Sequence, residues 1–231
     1  ISNRLAMVGL GCLILIILAC MLAPVLTPYD PTAIDPKNKL LPMSWEHPLG
    51  TDQLGRDMLS RILYGGRTTL SISLISSALT GLLGVALGCI AGFFGGKVDS
   101  AIRTTGEFIA CFPDLILTML IMAFLGQSVY WIMAIWILIG WMSPMRMVRS
   151  KILSLKEEPY VDSCRANGVG SASIMFRHLL PNTIGVVIIN ITSNVAGRVL
   201  AESTLSFLGL GISPSNPSWG NIINAAKNLN V

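Results

Sequence analysis

The chain has 231 residues, 52% of them hydrophobic and 12% charged, with a formal net charge of +4 and a mean hydropathy of +0.67. Soluble domains carry about 25% charged residues, so this composition places the chain among membrane proteins. Apolar segments recur along almost its whole length, which excludes one anchor joined to a large soluble domain. No segment combines clustered Lys and Arg with base-stacking aromatics, which excludes a nucleic-acid surface.

A helix needs about 20 mainly apolar residues to cross the hydrocarbon core. The first such run is Leu5 to Leu26, ended by Pro24, Pro28 and the turn at Tyr29-Asp30-Pro31. Arg4 ahead of it resembles the start of a signal peptide, but the run is too long and lacks a small-residue cleavage site, so a permanent span is expected. An extracytoplasmic loop at 28–67 follows, then spans over Leu70–Phe94, Ala101–Leu125, Val129–Val148 and Thr183–Phe207. Residues 68–231 form the main membrane domain. In the second span Gly84, Gly88, Gly92 and Gly96 repeat every fourth residue, a face that lets another helix approach closely. Pro113 and Pro144 interrupt the backbone pairing of the third and fourth spans.

Lys and Arg near span ends stay on the cytoplasmic side. With the N-terminus inside, the cytosolic segments hold Arg4, Lys97, Arg103, Arg146, Arg149, Lys151, Lys156, Arg165 and Arg177. The outer loop mixes Lys37, Lys39, Arg56, Arg61 and Arg67 with Asp30, Asp35, Glu46, Asp52 and Asp57. A cytosolic N-terminus is therefore expected. Five spans put Asn221 to Val231 outside, as the approach to a sixth span beyond the covered C-terminus.

Cys12, Cys20, Cys89, Cys111 and Cys164 fall in spans or in the cytosolic segment, where thiols stay reduced. With no CxxC pair and only His47 and His178 as imidazoles, no disulfide framework and no metal site are expected.

The longest polar interruption between late spans, Arg149 to His178, reads as two short helices forming a coupling segment at about 150–180. Pro159 suits a first helical position, Tyr160 to Asn167 contains no breaker, and Gly168 closes that helix in the left-handed conformation. Ser171 caps a second helix that Pro181 stops. Val161 and Cys164 share one face, an apolar patch suited to a partner's groove.

Here the sequence resembles the permease subunits of binding-protein-dependent ABC importers. Their signature is Glu-Ala-Ala, three residues, Gly, nine residues, Ile, one residue, Leu-Pro. This chain fills that spacing with Asp162-Ser163-Cys164, Gly168, His178 and Leu180-Pro181. Two further blocks are similar to the second permease of the dipeptide, oligopeptide and nickel branch. One is His47-Pro48-Leu49-Gly50-Thr51-Asp52-Gln53-Leu54-Gly55-Arg56-Asp57 with Leu59-Ser60-Arg61. The other is Phe207-Leu208-Gly209-Leu210-Gly211 with Pro214, Pro217, Trp219 and Gly220.

The resemblance implies an all-α, polytopic transmembrane bundle like a type I ABC importer, multi-pass in a bacterial or archaeal cytoplasmic (inner) membrane. It implies a heterodimer with a second homologous permease, two cytosolic ABC ATPase subunits, an extracytoplasmic substrate-binding protein, and lipid around the spans. The cargo it implies is dipeptides, oligopeptides, or nickel and metal chelates. Tyr160, Val161, Asp162, Ser163, Cys164, Ala166, Gly168, His178 and Pro181 would then contact the ATPase. The chain contains no GxxxxGK[ST] phosphate loop, so it is not expected to be an enzyme or to hold a cofactor, and ATP and Mg belong to the partner subunits.

Charges within spans carry two readings. Arg198 and Glu202 lie four apart on one helical face, either lining the route or pairing in cis. Arg103 with Glu107 reads as a snorkelling surface pair. Asp52, Arg56, Asp57 and Arg61, with Thr51, form a polar cluster that either meets the binding protein or folds against the outer vestibule. An ion-coupled carrier or channel is the alternative function, with Arg198 and Glu202 binding the coupling ion.

Overall fold

The computed structural model describes residues 4–213 and 215–227; Pro214 and residues 228–231, which carry part of the last sequence block and of the expected sixth-span approach, lie outside them. The helices run α1 (Arg4–Met21), α2 (Ala23–Leu26), α3 (Met58–Phe94), α4 (Gly96–Ala110), α5 (Asp114–Leu125) and α6 (Val129–Gly140), then α7 (Met142–Lys156), α8 (Pro159–Ala166), α9 (Ser171–Ser173), α10 (Ile184–Phe207) and α11 (Trp219–Lys227). A π segment (Ile174–Leu179) and a 3-10 turn (Pro181–Thr183) connect α9 to α10. The strand pairing among the described residues is an isolated bridge between Thr51 and Asp57.

Met58–Phe94 with 37 residues, Val129–Lys156 with 28 and Ser171–Phe207 with 37 are long and apolar enough to cross a membrane. The expected span Leu5–Leu26 is α1 and α2 joined at Leu22, whose N–H donates to Leu18 O at 2.9 Å. Leu5, Val8, Leu15 and Leu18 stand exposed along α1, as lipid contact requires.

Three expectations are corrected by backbone chemistry. The span Ala101–Leu125 is two helices, α4 and α5, bent by 75°. Pro113 has no N–H to continue the ladder and sits in extended geometry at φ −60°, ψ 122°. The second span starts at Met58 instead of Leu70, because Asp57 caps it by accepting the Ser60 N–H at 2.7 Å. Charged Arg61 and Arg67 hid those turns from a hydropathy reading. Lastly, Pro181 does not stop its helix. Leu180 N–H donates to Met175 O, five residues back, and this wider π turn admits the ring without a clash against the preceding turn.

The chain forms two compact units, one of residues up to Ile72 and from Val199 onward, the other Ser73–Arg198. In the first unit, α3 meets the end of α10 and α11 through hydrogen bonds that satisfy buried polar atoms. Glu202, fully buried, accepts from Thr69 Oγ1 at 3.0 Å and Ser206 Oγ at 2.8 Å. Thr69 Oγ1 in turn accepts the Trp219 N–H at 3.2 Å, and the Trp219 indole donates to Ile62 O at 3.0 Å.

In the second unit the glycine face of α3 lies on α7. A Cβ on Gly84 would stand 2.9 Å from Trp141 O, on Gly88 2.8 Å from Met145 O, and on Gly92 2.8 Å from the Ile152 side chain. Backbone sets two of these limits and cannot swing aside. Gly96 leaves the seam: nothing lies within 4 Å of its Cβ position. Arg149 grips Asp99 with Nε and with Nη2, the latter at 2.6 Å, tying α7 to α4. Replacing Gly88 by Leu is expected to cost roughly 1–3 kcal/mol through overpacking, seen as a lower unfolding temperature of the solubilised protein. Gly9→Leu, where nothing lies within 4 Å, serves as the silent control, and equal unfolding temperatures would disprove the seam.

Candidate functional site

The segment after α7 is built outward from an apolar floor. Glu157 and Glu158 turn the chain, and Pro159 opens α8 at a position where its missing N–H costs nothing. The end of α8 is a Schellman motif: Gly168 N–H donates to Arg165 O and Val169 N–H to Cys164 O, each at 3.0 Å. Gly168 takes φ +74°, which a side chain would strain.

Val161 is fully buried in a cluster with Cys89, Val148, Ile152, Ile174 and Leu179, and Cys164 and Val169 pack against it. This corrects the expectation that the Val161–Cys164 face is offered to a partner. The surrounding helices supply enough apolar surface to close that face, and the opposite face is left outward. Tyr160, Asp162, Ser163 and Ala166 are exposed there, with Arg165 donating to Asp162 Oδ1 at 3.0 Å. Gly168 and Pro181 are exposed and His178 is half-buried. Ser171 caps nothing through its side chain; Gly170 holds the N-cap position.

Arg198 and Glu202 do not form the expected cis pair, since each is taken by other groups. Arg198 Nη2 donates to Trp136 O at 2.8 Å and Thr80 Oγ1 at 3.4 Å, and its guanidinium lies 4.8 Å from the Trp136 ring centroid. Gly140 leaves the room for it. Arg103 does reach Glu107, at 3.6 Å. The Asp99–Arg149 grip was missed in the sequence, since nothing local marks a pair 50 positions apart.

The loop ahead of α3 is tied together by hydrogen bonds of its own. His47 Nδ1 lies 2.9 Å from Asp57 Oδ1, and the His47 ring packs 4.7 Å from Tyr29. Asp57 is buried, as is Arg61, so neither presents itself on the surface as a protein contact. Gly55 at φ +77° passes so close to the Asp35 carbonyl that a Cβ would collide. Burial pushes the Asp52 pKa up. Bonds from the Arg56 and Leu54 N–H groups and the Arg56 guanidinium outweigh it and hold the carboxyl below its ordinary value. The Asp52 contribution to loop stability is therefore present above the ordinary carboxylate pKa and lost only as pH falls through the lowered one. Among the described residues no group of His, Cys, Asp and Glu is arranged to hold a metal ion.

Two variants test this account. Val161→Ala is expected to cost about 1–3 kcal/mol by leaving a cavity under α8, read as faster proteolysis between Lys156 and Gly170; an unchanged digestion rate would contradict the buried floor. For the membrane charges, exchanging Arg198 and Glu202 together is expected to be as damaging as either single change, because their partners differ. Recovery of the wild-type unfolding temperature in the double variant would show that they pair.

Residues 84–228 match the family described as the binding-protein-dependent transport system inner membrane component, and residues 1–42 match the N-terminal transmembrane domain of oligopeptide transport permease C. The chain is 35% identical over 219 residues to the oligopeptide transport system permease protein OppC of Bacillus subtilis, covering 95% of this chain and 72% of that protein. It is 35% identical over 223 residues to the dipeptide transport system permease protein DppC of the same organism, covering 96% and 70%. To DppC of Haemophilus influenzae it is 32% identical over 232 residues, covering 98% and 79%. With its apolar helices and its outward-facing α8 knuckle, the chain is a multi-pass membrane protein that belongs to the family of binding-protein-dependent transport system inner membrane components.

Proposed function

We propose that this chain is one of two homologous permeases of an ATP-driven importer of short peptides, and that α8 is its contact with a cytosolic ATPase. The carrying observation is the division of α8 into two faces: Val161 locked into the cluster with Ile152 and Leu179, and Tyr160, Asp162, Ser163 and Ala166 left outward. A helix anchored this way moves with α7 and with the π segment leading to α10. Closure of an ATPase pair pressing on it becomes a displacement of membrane helices between two arrangements.

The chain itself does no chemistry in this reading. The lack of a phosphate loop in its sequence supports placing ATP and Mg on two separate subunits, with an extracytoplasmic binding protein delivering the cargo. The excess of Lys and Arg in the segments after α3 supports a cytosolic N-terminus and a cytosolic α8 in a bacterial or archaeal inner membrane. Relatives named for oligopeptides and dipeptides support peptide cargo over the nickel complexes that the sequence blocks also admitted.

In the reconstituted importer, Asp162→Lys inverts the charge of the outward face, and Gly168→Leu strains the end of α8 by roughly 1–2 kcal/mol. Both variants are expected to insert normally and to leave basal ATP hydrolysis intact while peptide uptake falls by about ten-fold or more, the equivalent of losing one or two charge-assisted contacts. Wild-type uptake and coupling in both would sink the docking role of α8.

A further inference from the structure

The loop ahead of α3 and helix α11 enclose a cavity of about 470 Å³, all of it within the first compact unit. Its volume is that of a small-ligand site. Its lining is mixed: Leu54, Met58, Ile222 and Ala225 are apolar, and Asp52, Arg56 and Arg61 are charged.

The charges there do not balance. Asp52 Oδ1 accepts the Leu54 N–H at 2.8 Å and the Arg56 N–H at 3.0 Å, and Oδ2 accepts Arg56 Nε at 2.7 Å. Arg56 thus neutralises Asp52 and saturates it. Arg61 is left with the same Oδ2 at 3.6 Å, beyond hydrogen-bond reach, and its guanidinium donates to no other described residue. Yet the Arg61 side chain is only 3% exposed. A buried guanidinium is costly unless an anion meets it with hydrogen bonds, and its planar fork of donors fits a carboxylate in two-point contact. The second guanidinium beside it raises the demand for negative charge.

We propose that this cavity binds the free carboxylate of a short peptide, with Arg61 as the principal donor, Arg56 beside it, and the peptide's side chains against the apolar lining residues. The assignment rests on the reading of the chain as a peptide importer. Peptide is favoured over a lone inorganic anion or a lipid phosphate because the cavity combines guanidinium donors with apolar lining residues in a volume that suits a few residues. The Asn221 amide, donating to Ile212, Ser213 and Asn216 carbonyls at 3.0–3.1 Å, fixes the start of α11 and so the width of the cavity.

The test uses the assembled permease pair with its ATPases in lipid nanodiscs, without binding protein, titrated calorimetrically with trialanine, trialanine amide and inorganic phosphate. Trialanine is expected to bind at least ten-fold more tightly than its amide. Arg61→Gln is expected to weaken trialanine by about ten- to a hundred-fold, the loss of a charge-assisted contact, and to leave the amide unchanged. Ala225→Phe keeps both arginines and fills the cavity, so it too should weaken trialanine, which covers the case in which Arg61→Gln fails to assemble. Equal affinity for acid and amide, no binding of either, or phosphate binding as tightly as trialanine would overturn the proposal. Peptide uptake by the complete wild-type importer is measured alongside. Intact uptake with no acid preference removes this site alone, whereas absent uptake removes the importer reading.

Discussion

Close contact between α3 and α7 at Gly84, Gly88 and Gly92 is the constraint on which the second unit depends. Hydrocarbon offers no hydrophobic drive for two apolar helices to associate, so helix pairing there rests on dispersion and on how near the backbones come. Removing three side chains from one face brings α3 against the carbonyls of Trp141 and Met145. Once that distance is set, Cys89, Val148 and Ile152 share one layer, and Val161 has a floor to sit on. The position of the knuckle thus follows from three glycines buried between α3 and the residues around α7.

Polar side chains in the spans obey a related economy. Glu202 is sunk among Thr69 and Ser206, and Arg198 against Trp136 O and the Trp136 ring. In a medium without water each buried charge must collect neighbours or lose several kcal/mol. Hydroxyls and a backbone carbonyl serve where an opposite charge was expected. These groups hold helices in place, and the unit containing Glu202 links α3, α10 and α11 through one short chain of bonds.

Much of this was readable in the sequence, for local reasons. A glycine every fourth residue, Pro159 before an unbroken run, and Gly168 after it each dictate a backbone geometry within a few residues. The parts that misled depend on distant neighbours. Whether the Val161–Cys164 face looks inward or outward is decided by Ile152, Ile174 and Leu179, which come from other elements. That Arg198 prefers a tryptophan carbonyl to Glu202 is likewise invisible to helical spacing. Met58 to Arg67 was lost because charges on a helix lower its hydropathy without disturbing its backbone, and because the Asp57 cap looked like one more loop acid.

The wide turn at Ile174–Leu179 sets the facing of the helix that follows it within the second unit. Such a turn is a helix holding one surplus residue, and each residue advances the azimuth by about 100°. The directions of Asn190 and Arg198, in the same unit, therefore follow from the wide turn that the proline at 181 requires. Relieving Pro181 of its role would rotate residues 184–198 of α10 about the helix axis, turning a different stripe of side chains toward residues 73–94 of α3 within the second unit.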